Sequence, residues 1–80
     1  MKLPRDLSGG GLAKTLTRLG YQTTRQTASH MRLTTQQGGE HHITVPDHDA
    51  LKVGTLNGIL REVAEHFELS RSELLQRLFG

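Results

Sequence analysis

The sequence predicts a single α+β domain over residues 1–80, in the order helix, three strands, helix, helix. The helices are expected on one face of a three-stranded antiparallel sheet. Two observations predict the sheet. Ser29–Thr35 and His41–Pro46 each alternate apolar and polar residues, and the stretch between them contains Gly38-Gly39. A third predicts the helices: apolar residues recur three and four apart on both sides of this region. A chain of 80 residues can bury one thin core and no more.

The first helix is expected to open at Ser8, whose hydroxyl can accept from the free amides of the first turn. Leu12, Leu16 and Leu19 follow at helical spacing with Ala13 beside them, and Gly20 suits a left-handed stop. Gly9, Gly10 and Gly11 weaken the first turn, because glycine loses the most backbone entropy on ordering. Their consecutive amides could hold a phosphate. No P-loop pattern accompanies them, so a frayed helix end is the favoured expectation. Tyr21–Thr27 is rich in threonine, has no helical stripe and reads as an edge strand. Asp47–Gly54 reads as a loop, with Thr55 the expected cap of a second helix carrying Leu56, Ile59, Leu60, Val63 and Phe67. Ser70-Arg71-Ser72-Glu73 has the capping-box pattern, flanked by Leu69 and Leu74. It predicts a short third helix with Leu74, Leu75, Leu78 and Phe79 available to the core.

The two alternating strands constrain their own register. Side chains directly opposite each other share a face. Setting Met31 and Leu33 against Val45 and Ile43 requires a loop with an odd residue count, such as Gln37-Gly38-Gly39. A two-residue Gly-Gly loop would put His30 and Arg32 on the face of Ile43 and Val45, exposing the whole apolar set. In the odd register His30 lies opposite Pro46 and His42 opposite Thr34. His30, Arg32, Thr34, His42 and Thr44 then share the face that the helices leave open.

Composition narrows the function. With no cysteine, a disulfide-stapled fold and a thiolate metal site are excluded, which suits a reducing compartment. No apolar stretch follows Met1-Lys2, so no signal peptide is expected, and no apolar run approaches the ~18 residues of a membrane span. A cytoplasmic location is expected. The net charge of +2 is unevenly divided. Residues 1–34 hold six Lys or Arg against Asp6 alone, a net +5, and residues 35–80 hold four against seven acids, a net −3. The basic half could meet a polyanion. With no Trp, one Tyr and two Phe, an array of aromatic stacking platforms is not expected.

Five histidines are the densest source of chemistry. Imidazole titrates near neutral pH, at roughly 6.5 when unperturbed. RNA cleavage needs a base for the 2′-OH, an acid for the leaving oxygen and a cation for the phosphate. His30 with Arg32 on the same face offers a proton carrier and a phosphate clamp; by spacing alone, both also read as solvated strand residues. Ser29 points to the other face if the strand is already regular there, and otherwise supports the strand's start. His42 can help hold RNA on the open face, while His41 is expected at the core edge and His66 half-buried on the second helix. His48 reads as a solvated turn. His30, His42 and His48 are a weaker alternative as three zinc ligands, without an H-x-x-x-H or H-E-x-x-H spacing.

Several blocks together carry a family resemblance. They are Leu7-Ser8-Gly9, Leu19-Gly20-Tyr21, Arg25-Gln26 leading to Ser29-His30, His41-His42-Ile43-Thr44-Val45-Pro46 with His48, and Leu51-Lys52-Val53-Gly54-Thr55-Leu56 with Ile59-Leu60. In this order and spacing they resemble the HicA (YcfA-like) toxins over essentially the whole chain. The resemblance implies a fold like the double-stranded-RNA-binding domain. It implies an mRNA endonuclease inhibited by a HicB-type antitoxin, and with His30 and Arg32 as the expected machinery the cleavage is expected to need no metal or cofactor. Operator DNA would be met only through the antitoxin complex. The family's catalytic histidine falls in a G-S-H motif, which places it at His30, after Ser29, with Ala28 where the family commonly has glycine. Arg32, Arg25, Lys14, Lys2, Arg5, Ser29 and His42 are the expected RNA-binding residues. The alternative functions are a non-catalytic double-stranded-RNA-binding module and a protein-interaction module.

Overall fold

The computed structural model describes residues 3–80, so Lys2 lies outside the described residues. Helix α1 (Gly9–Leu16) begins where Ser8 leaves an extended backbone and its Oγ accepts from the Gly11 amide at 2.9 Å. The glycine run is helical from Gly9 and does not fray. The reason is tertiary. The Gly9 N–H donates to the His48 carbonyl at 2.9 Å, and a methyl group at Gly9 would overlap the Pro46 carbonyl oxygen. A 3-10 turn, Thr17–Leu19, extends the helix to Gly20, which ends it with φ +83°.

Strands β1 (Gln22–Gln26), β2 (His30–Thr35) and β3 (His41–Pro46) form an antiparallel sheet with β2 in the centre. Between β2 and β3, Met31 pairs with Val45, Leu33 with Ile43 and Thr35 with His41, closed by the five-residue loop 36–40. The odd loop and the expected register are both present. β1 is shorter than Tyr21–Thr27, because Tyr21 turns inward to the core. Buried Thr35 ties the strand ends together: its hydroxyl donates to the Leu19 carbonyl at 2.8 Å and accepts from the Gln37 amide at 3.1 Å.

Helix α2 spans Val53–Phe67 and corrects one expectation. Thr55 is not its cap. Lys52 is the N-cap, extended and without a side-chain cap bond, and its carbonyl accepts from the Leu56 amide at 2.9 Å. Burying Leu56 against the core requires that turn to be formed already, so the helix starts ahead of the threonine. Helix α3 (Arg71–Phe79) has the predicted box: Ser70 Oγ accepts from the Glu73 amide and Glu73 accepts from the Ser70 amide. Arg18 fastens α3 by donating to the Leu78 carbonyl at 2.9 Å, and Arg71 donates to Asn57 Oδ1 at 2.8 Å.

All three helices cover one face. Leu12 and Leu16, then Leu56, Ile59, Leu60 and Val63, then Leu74, Leu75 and Leu78 close over Met31, Leu33, Ile43 and Val45. Among the described residues no helix is long and apolar enough to cross a membrane. At the core's edge Tyr21 is fully buried, with its hydroxyl 2.7 Å from His41 Nδ1. The half-buried His41 ring stacks on that of His66, with centroids 4.4 Å apart, and His66 Nε2 donates to the Gln37 carbonyl at 2.9 Å. Both histidines are therefore structural, as their spacing implied.

Gly9→Ala should cost roughly 1–3 kcal/mol by overpacking against Pro46. Gly10→Ala meets nothing within 4 Å and should gain roughly 0.5–1 kcal/mol from helix propensity. Urea denaturation of the two variants measures both. Burial, with a smaller push from Glu62, raises the Tyr21 phenol from 10.0 to about 12. An unfolded chain loses that proton first, so stability should fall as pH rises from 10.0 to about 12. Tyr21 is the only tyrosine, so ultraviolet absorbance follows its ionisation directly. Burial and then the neighbouring His66 lower His41 below 6.5, so stability should also decline as pH falls below that value.

Candidate functional site

The face away from the helices carries His30, Arg32, His42 and Thr44, all exposed, with Thr34 half-buried among them. This follows from the β2–β3 register, since Met31, Leu33, Ile43 and Val45 point the other way into the core.

His30 is the first residue of β2, opposite Pro46. Its backbone is held from two sides. In the tight turn from β1 the Thr27 amide donates to the His30 carbonyl at 2.9 Å, and the His30 amide donates to Thr27 Oγ1 at 3.2 Å. On the other side the Asp47 amide donates to the Ser29 carbonyl at 2.8 Å. Because the strand begins at His30, Ser29 belongs to the turn, and its side chain is free to reach the ring. Ser29 Oγ lies 3.0 Å from His30 Nδ1. Nε2 has no hydrogen-bond partner among the described residues.

Arg32 is two residues along β2, about 6.6 Å away along the strand. A second guanidinium joins it through a bulge. Thr23 pairs with Leu33 but Arg25 pairs with Arg32, so Thr24 is an extra residue in β1. Regular pairing would have set Arg25 opposite Met31, on the core side. With the bulge, Arg25 stands beside Arg32. Neither arginine has a carboxylate in ion-pair reach among the described residues, where His42–Glu40 is the only ion pair.

His42 sits at the other end of the face. Its Nδ1 is 2.7 Å from Thr34 Oγ1, which is 2.9 Å from Thr24 Oγ1, and its Nε2 is 2.9 Å from Glu40 Oε2. Both ring nitrogens are engaged. Hydrogen bonds from His42 first, and from Gln36 next, hold the Glu40 carboxyl below its usual range. His42 and His30 lie about 13 Å apart along the strands, too far to serve one phosphate.

The remaining sequence candidates are dispersed. Lys14 is exposed on α1, and Arg5 lines a groove with Leu7, Leu51 and Leu56, so both lie on the helical side of the molecule. His48 is exposed, and its carbonyl serves Gly9. Among the described residues no three His, Asp or Glu side chains converge as metal ligands, so His30, His42 and His48 are not brought together. Two site features escape the strand patterns used above. Glu40 is legible in hindsight, because its two-residue spacing from His42 predicts a shared face. The Thr24 bulge is not, because Gln22–Gln26 is exposed throughout and shows no alternation to break.

A family profile described as HicA toxin of bacterial toxin-antitoxin matches residues 11–64, which include α1 from its third residue, the whole sheet and most of α2. No curated protein and no solved structure matches the chain. The match spans more than half the sequence and contains His30, Arg32 and Arg25; the chain belongs to the HicA toxin family.

Proposed function

We propose that this toxin is a metal-independent endoribonuclease that cuts mRNA, with His30 as its proton carrier. The observation that supports this most is the setting of His30: exposed, held by Ser29 at Nδ1, and flanked by two unpaired guanidiniums. With Ser29 Oγ accepting from Nδ1–H, Nε2 is the working nitrogen. It takes the proton of a ribose 2′-OH. The 2′-oxygen bonds to the adjacent phosphorus, the bond from phosphorus to the 5′-oxygen breaks, that oxygen takes a proton from water, and the His30 imidazolium returns its proton to the hydroxide so formed. The products are a 2′,3′-cyclic phosphate and a 5′-hydroxyl. Arg32 and Arg25 neutralise the charge that develops on the phosphate oxygens. His42, committed at both nitrogens, holds the RNA-facing surface in shape and moves no proton.

Membership of a toxin family implies an antitoxin partner. We assign it as a HicB-type protein whose acidic segment covers the open face, placing carboxylates on Arg25 and Arg32 and shutting RNA away from His30. Operator DNA is then met only through that complex. The exposed carboxylates of Glu62 and Glu65 on α2 weigh against a module that grips duplex RNA through that helix.

His30→Ala should reduce cleavage of a defined mRNA by roughly 10²- to 10⁴-fold and relieve growth arrest, with an unchanged circular dichroism spectrum. Wild-type cleavage should persist in EDTA. Undiminished cleavage by His30→Ala would sink the proposal, and wild-type protein that retains RNA uncut would favour a binding module. Arg32→Ala should lower kcat/KM by about tenfold or more while the fold is kept, since a charge-assisted phosphate contact contributes roughly 1.5–3 kcal/mol.

A further inference from the structure

The two ends of the open face differ in chemistry. The His30 end is cationic. The other end holds a neutral hollow of about 460 Å³ between the start of β1 and the β2–β3 hairpin. Gly20, Gln22, Thr24, Thr34, Gln36 and Gln37 line it, with no charged side chain among them. Gln22 is paired with Thr34 across the strands, so it stands on the open face. The hydroxyls of Thr24 and Thr34 are 2.9 Å apart, and His42 anchors the second of them. The Gln22 side-chain amide has no hydrogen-bond partner among the described residues. Gly20 makes room for Gln37: a Cβ there would lie 2.8 Å from the Gln37 amide nitrogen.

These groups suit an uncharged, hydrogen-bonding ligand. A phosphate is disfavoured, because Glu40 stands behind His42 and its carboxyl is held below its usual range. Side-chain amides both donate and accept, and glutamine pairs bidentately with the exposed edge of adenine. Unpaired bases of single-stranded RNA are read in this way on their edges. Buried Tyr21 offers no stacking surface here, so discrimination must come from hydrogen bonds. Thr34 is four residues from His30 along β2, about 13 Å. In a stretched strand this is about two nucleotides, with Arg25 and Arg32 between them for the intervening phosphate.

We propose that this hollow is a nucleobase subsite, which takes one unpaired base of the RNA, adenine through Gln22, and so selects which phosphate reaches His30. The proposal rests on the ribonuclease reading above, and its test separates the two. Cut sites are mapped on a pool of single-stranded RNA of random sequence. Wild type should favour adenine about two nucleotides from the cut, by about tenfold. The preference should flatten in Gln22→Ala and move toward cytosine in Gln22→Glu, whose carboxylate accepts from the cytosine amino group. Gln22 is exposed, so both variants should fold. Wild-type cutting with no base preference near the cut overturns the subsite alone, as does a Gln22→Ala pattern identical to wild type. If wild type cuts nothing, the ribonuclease reading fails, and binding of short RNAs to His30→Ala protein decides the subsite. Tighter binding of oligoadenylate than of oligouridylate, lost on adding Gln22→Ala, supports it; equal binding overturns it.

Discussion

Four side chains in two strands set the geometry of this molecule. Met31 opposite Val45 and Leu33 opposite Ile43 form the sheet's contribution to the core. Because strand side chains alternate, committing these four inward commits His30, Arg32, Thr34, His42 and Thr44 outward. A slip of one residue would expose the apolar set and bury two histidines, an arginine and two threonines, so the register carries a large energetic penalty against error. The odd loop 36–40 is the local device that makes this pairing reachable, and Thr35 locks its end by bonding to Leu19 and Gln37.

The helical layer depends on that sheet in turn. α1 is short and begins with three glycines, so its intrinsic helix tendency is weak. It is held by tertiary contacts: Ser8 at its first turn, the His48 carbonyl on Gly9, and Leu12 and Leu16 in the core. Gly9 also allows the helix to touch Pro46, the residue opposite His30. Packing on the covered face thus supports the end of the sheet where His30 stands on the open face.

The open face is graded along its length. Its cationic end combines His30 with Arg25 and Arg32; its far end combines glutamine amides, threonine hydroxyls and the His42–Glu40 pair. A ribonuclease uses such a gradient well, because phosphates demand positive charge and bases demand directional hydrogen bonds. The acidic residues of α2 border this face at the β3 edge, where Glu62 and Glu65 line a hollow with Arg32, His42 and Thr44.

Much of this was legible without coordinates. Alternation in 29–35 and 41–46, with the parity of the loop, determined the β2–β3 register and the exposure of His30 and Arg32. Side-chain capping at Ser8 and Ser70 was legible too, because a cap involves residues only three apart. The tertiary structure decided the rest. Thr55 resembles a cap, yet packing of Leu56 started the helix at Val53. Gln22–Gln26 contains no apolar residue to prefer a face, so only pairing against β2 could reveal the Thr24 bulge and bring Arg25 to Arg32. Ser29 reached His30 only because the strand began one residue later than its pattern suggested. Short-range periodicity and capping are written in neighbouring residues; bulges, close glycine contacts and polar hollows arise where distant segments meet, and no local pattern encodes them.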